Sequence, residues 1–70
     1  MEFTPFVRSR LRQLGLRTEE IEAMVGQAVI VIPVAGGKVL HEGVIGDRMV
    51  SVIVDPAPPP TVVGVTERSL

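Results

Sequence analysis

The sequence predicts an α+β domain in which two N-terminal helices pack on a four-stranded antiparallel β-meander. Three observations carry this prediction. Apolar residues recur every three or four positions as far as Val25. From Gln27 the period changes to a continuous run rich in β-branched residues, Ala28-Val-Ile-Val-Ile32. Beyond it, Gly36-Gly37, Gly46-Asp47 and a proline-rich segment separate three more apolar stretches, as turns separate strands.

The first helix is expected over residues 5–14. Thr4 supplies an N-cap hydroxyl, Pro5 suits the first helical position, and Gly15 suits the left-handed residue that ends a helix. Val7, Leu11 and Leu14 fall on one stripe, and Arg8 and Arg12 share another face. The second helix is expected over 18–26. Thr18 opens it, Glu19, Glu20 and Glu22 gather at its positive end, and Ile21, Met24 and Val25 form its inward stripe. Strands follow at about 27–33, 38–45, 48–54 and 61–66. The first reads as a strand buried on both faces, because its apolar residues are continuous rather than alternating. Residues 55–60, Asp-Pro-Ala-Pro-Pro-Pro, form a stiff connection unable to donate strand hydrogen bonds, and residues 67–70 are expected to fray.

A two-residue turn at Gly46-Asp47 sets the pairing of its flanking strands. Ile45 then faces Arg48, and Val39, His41, Gly43 and Ile45 share a face with Val54, Val52, Val50 and Arg48. If Val54 pairs with Thr61, that core face continues through Val63 and Val65. The opposite face carries Leu40, Val44, Met49, Ile53 and Val62 and is too apolar to stand in water alone, which marks these five as candidate interface residues.

Composition removes several function classes. The chain has 70 residues, one domain, and a domain of this size buries only about 60% of its unfolded surface. Oligomerisation is therefore an economical source of stability, and a homodimer is expected. With no cysteine and one histidine, neither a disulfide framework nor a metal cluster is available, so no metal and no cofactor are expected. The net charge of −1 gives no global field for nucleic acid, and two phenylalanines are too few for a base-stacking platform. No apolar run is long enough to cross a bilayer, and no secretion signal is evident, so no membrane contact and a cytoplasmic location are expected. Charge is nonetheless uneven: residues 1–17 carry Arg8, Arg10, Arg12 and Arg17 against Glu2 alone, whereas residues 18–47 are acidic.

Phe3-Thr-Pro-Phe-Val-Arg8, followed by Leu14-Gly-Leu-Arg-Thr-Glu-Glu-Ile21, resembles a pattern found in small bacterial and phage proteins. That pattern reads F-T-x-H-A-x-x-R, then R-G-I-[ST]-x-x-x-I, then a meander with V-V-V-D and V-V-T-V strands. The corresponding strands here are Val50-Ser-Val-Ile-Val-Asp55 and Val62-Val-Gly-Val65. The family is a domain of unknown function near the BrnT and RelE toxin-like proteins. The resemblance implies a RelE-like α+β fold and an RNA-cleaving protein silenced by an antitoxin. Two departures bear on activity: Phe6 stands where the pattern has histidine, and Leu14 where it has arginine. Both remove polar groups suited to chemistry or to phosphate.

Metal-free RNA cleavage needs a base, an acid and cations around the phosphorane. His41 is the one imidazole, hence the candidate catalytic residue, but Glu42 beside it points to the opposite sheet face and His41 itself points toward the core. Arg8, Arg12 and Arg17 are the candidate RNA- or phosphate-binding residues, since guanidinium holds phosphate bidentately. A solvated helix face is the plainer use of the same arginines. Gly36-Gly37-Lys38 lacks the other parts of a phosphate-binding loop and reads as a hairpin turn; prolines 58–60 read as a rigid linker. Two functions follow. One is a toxin-like protein of the RelE/BrnT kind, binding RNA or a partner such as an antitoxin, with weak or lost endoribonuclease activity. The other is a non-catalytic interaction module working through the apolar sheet face.

Overall fold

The computed structural model describes residues 1–28 and 30–69. Its elements are β1 (Glu2–Phe3), α1 (Pro5–Leu14), α2 (Thr18–Gly26), β2 (Ile30–Val34), β3 (Lys38–Ile45), β4 (Arg48–Asp55) and β5 (Thr61–Ser69). The five strands form one sheet in the order β1-β5-β4-β3-β2.

Both helices occupy the expected residues because their ends are written locally. The Thr4 hydroxyl accepts from the Val7 N–H at 3.1 Å, Pro5 begins α1, and Gly15 closes it at φ +70°. At the start of α2 the Glu20 carboxylate accepts from the Arg17 N–H at 2.9 Å. Val7 and Leu11 from α1, Ile21 and Met24 from α2, and Leu16 between them cover the sheet. Beneath them lie Val50, Val52 and Val54 of β4 with Val62 and Val65 of β5. The β3–β4 hairpin turns at Gly46-Asp47, with Gly46 at φ +64°, and its register is the expected one from Ile45–Arg48 to Val39–Val54.

Four expectations need correction. The sheet is not a four-stranded antiparallel meander: β1 adds a fifth strand, parallel to β5. Its two residues are too short for any periodic signal, and it is held by the Glu2 N–H donating to the Pro60 carbonyl at 2.8 Å and the Thr4 N–H to that of Val62 at 3.3 Å. Second, a bulge places Val54 opposite Val62, not Thr61, and leaves Val63 as the extra residue of β5. Val62 thereby turns inward with no exposure, so it is a core residue and not an interface one. Third, β5 runs on to Ser69 in place of the fraying expected from residue 67, because Arg48 and Glu67 hold its far end; Leu70 lies outside the described residues.

The fourth correction concerns the first predicted strand. Gln27 caps α2, Val29 lies outside the described residues, and the strand starts at Ile30 and continues past Pro33 to Val34. It is not buried on both faces. As the edge of the sheet it leaves Ile30 40%, Val31 57% and Ile32 44% exposed.

Candidate functional site

The face of the sheet turned away from the core presents a row across four strands: Ile32, Leu40, Ile53 and Gly64 are successive register partners from β2 to β5. Phe6 and Arg10, one helical turn apart on α1, reach the β5 end of this row. Together with Leu40, Ser51, Ile53, Gly64 and Thr66 they line an open, mainly apolar groove of about 430 Å³. Phe6 is 72% exposed at its wall. Gly64 leaves the floor low, since a Cβ there would meet Ile53 at 3.6 Å, an ordinary contact.

Polar groups flank the groove. The Ser51 hydroxyl donates to Glu42 Oε2 at 2.8 Å, and Arg68 Nη2 lies 3.9 Å from the same oxygen. On the opposite, helix-covered face, Arg48 donates through Nε and Nη2 to the two Glu67 oxygens at 2.8 and 2.6 Å, and its Nη2 also donates to the Leu14 carbonyl. This fork ties the end of α1 to the adjoining strands. The hydrogen bonds from Arg48 hold the Glu67 carboxyl below the usual glutamate range, and the same contact raises the guanidinium. At the start of α2, Glu19 is also lowered, first by a backbone N–H and then by the Thr18 hydroxyl.

Of the expected interface residues, Leu40 and Ile53 line the groove, while Val44 and Met49 pair on the same face near the Gly46 turn. Val62 is on the other side of the sheet. His41 lies on the helix-covered side between Val31 and Val52, and its Nδ1 is buried with no hydrogen-bond partner among the described residues. Arg8, Arg12 and Arg17 are exposed. Arg8 sits 5.6 Å above the Phe3 ring, and Arg17 Nε is 3.7 Å from a Glu20 oxygen. Arg8 and Arg12 lie on α1, which packs on β5, whereas His41 is on β3, two strand spacings or about 10 Å away across the sheet.

Sequence reasoning missed Phe6 as an exposed wall, Arg10 beside it, and the Arg48–Glu67 pair. The absence of Phe6 from the inward stripe of Val7, Leu11 and Leu14 is the one signal that could have placed it. Among the described residues no group of three histidines or carboxylates is placed to hold a metal ion, and no helix is long and apolar enough to cross a membrane. No family model, curated protein or solved structure matches the chain.

Proposed function

We propose that this chain is a non-catalytic protein-interaction module whose outer groove takes the apolar side chains of a partner segment. The observation that carries this reading is Phe6, largely exposed, standing over a floor of Leu40, Ile53 and Gly64. A protruding aromatic beside a shallow apolar trough suits an amphipathic segment, with Arg10, Glu42 and Arg68 available to its polar flanks. The chemistry of RNA cleavage finds less support: the one imidazole lies on the core side with its Nδ1 buried, while Arg8, Arg12 and Arg17 are exposed.

A selection of binders from a displayed library of amphipathic peptides tests the proposal. Binding is expected to shift the NMR signals of Phe6, Leu40, Ile53 and Gly64, and to fall about tenfold or more in Phe6→Ala and Gly64→Val. Gly64→Val is informative because it fills the floor while favouring the strand. Binders that map to another surface, or that ignore both substitutions, overturn the reading.

The second reading is a RelE/BrnT-like protein that binds RNA, and the exposed Arg8, Arg12 and Arg17 favour it. RNA binding would weaken steeply with salt and vanish in the Arg8→Ala/Arg12→Ala double variant. Growth arrest on expression, abolished by His41→Ala, would add catalysis. An antitoxin is the partner that this reading supplies for the groove.

A further inference from the structure

We propose that β2 is the seam of a homodimer, in which it pairs antiparallel with β2 of a second copy across a two-fold axis at Val31. The case begins with a conflict between sequence and monomer. Residues 30–32 have the continuous β-branched character of a strand buried on both faces, yet each is at least 40% exposed. Nothing charged guards this edge: the sequence carries no Asp, Glu, Lys or Arg between Glu22 and Lys38. Edge strands that stay single are commonly protected by charged side chains, by proline or by a covering element, and here Pro33 guards only the far end, leaving Ile30–Ile32 bare.

Backbone geometry points to a second copy as the cover. Hydrogen-bonded and non-hydrogen-bonded pairs alternate along an antiparallel ladder. Pro33 has no N–H to give β3, so the Pro33–Val39 and Val31–His41 pairs are the non-bonded ones. Val31 therefore turns both its N–H and its carbonyl to the free edge, and Pro33 turns its carbonyl there. A residue offering donor and acceptor on one edge pairs with itself: two copies meeting at Val31 exchange two reciprocal hydrogen bonds. In that register Ile30 stands opposite Ile32 of the second copy, and Ile32 opposite its Ile30, on the outer face. No like charges meet at the axis, because the segment has none.

The same geometry limits the assembly to two. Pro33 lacks the outward donor that would lengthen the ladder. The contact is isologous and closes on itself. It also extends the outer apolar row, since Ile32 is the register neighbour of Leu40, so the two grooves of a dimer would lie on one continuous ten-stranded surface. The seam stands independently of the groove reading.

Sedimentation equilibrium of the full chain, with Val31→Lys, Val31→Pro and Ile53→Glu, tests the seam. The parent chain is expected to be a dimer. Val31→Lys and Val31→Pro are expected to raise the dissociation constant about tenfold or more while keeping the circular dichroism spectrum, because the Val31 N–H serves no intramolecular strand. Ile53→Glu, which strikes the groove, is expected to stay dimeric. Hydrogen exchange on the unsubstituted chain gives a second measurement should a variant fail to fold: the Val31 amide is expected to gain protection as concentration rises. A parent chain that is monomeric at its highest soluble concentration overturns the proposal. So does a dimer unaffected by either Val31 variant, or a Val31 amide that exchanges freely in the dimer.

Discussion

Gly43 lies on β3 where α2 comes closest to the sheet. A Cβ at this position would stand 2.8 Å from Met24 Sδ and 3.0 Å from Met24 Cγ, closer than packed atoms tolerate. Met24 is itself buried, so its side chain has little room to yield. Gly43→Ala is expected to cost about 1–3 kcal/mol in urea unfolding by overpacking. Met24→Ala creates the space that the methyl group needs, so the double variant should lose less than the two single losses added together. Additive losses would mean that the two positions do not share the contact. The sequence placed Gly43 on the inner face through the hairpin register, but it offered no sign of what stood above it. A glycine carries no side chain by which to announce its neighbour. Phe6 shows the converse, since its exposure depends on where α1 sits relative to β5 and not on the residue's own hydrophobicity.

At the scale of elements, the Arg48 fork joins α1, β4 and β5 through one side chain. Glu67 has its folded-state pKa lowered, so its contribution to stability is present above the ordinary glutamate range. It is lost as pH falls through that range, around 4.3, and on through the lowered value. The urea midpoint is therefore expected to drop on acidification, and Glu67→Gln should flatten that limb of the profile. Arg48 stays charged throughout and adds no slope there. An acid limb equally steep in Glu67→Gln would assign the pH dependence to other carboxylates. The end of β5 depends on this pair, which is why the expectation of fraying from Glu67 failed: the partner lies on the neighbouring strand, 19 positions earlier in the chain. The helix ends were legible for the opposite reason. Thr4 caps a donor three residues away, and Gly15 closes its helix through its own backbone freedom.

For the molecule as a whole, stability rests on a thin layer of valines under two short helices. A 70-residue chain has a total stability of roughly 4–10 kcal/mol. Val52 is fully buried at the centre of β4, and Val52→Ala removes two methyl groups and leaves a cavity. A loss of about 2 kcal/mol is expected, visible as a fall in the thermal midpoint and large against that total. A Val52→Ala midpoint equal to that of the unsubstituted chain would show that the helix layer closes over the gap. Association at β2 should also make the melting temperature rise with concentration, and Val31→Lys should abolish that rise.

Part of this fold is decided among a few neighbouring residues. Caps and apolar stripes placed both helices at 5–14 and 18–26, and the Gly46-Asp47 turn set the whole β3–β4 register, so the inward side of His41 and the outward side of Leu40 and Ile53 followed. The fifth strand, the bulge that turned Val62 into the core, the groove wall at Phe6 and the bare edge at Ile30–Val34 arise only once the elements are assembled. Each of these depends on which segments meet across the fold. Pairing between distant strands is chosen by the sum of backbone hydrogen bonds and buried area over the whole sheet, and that sum is not written in any local pattern.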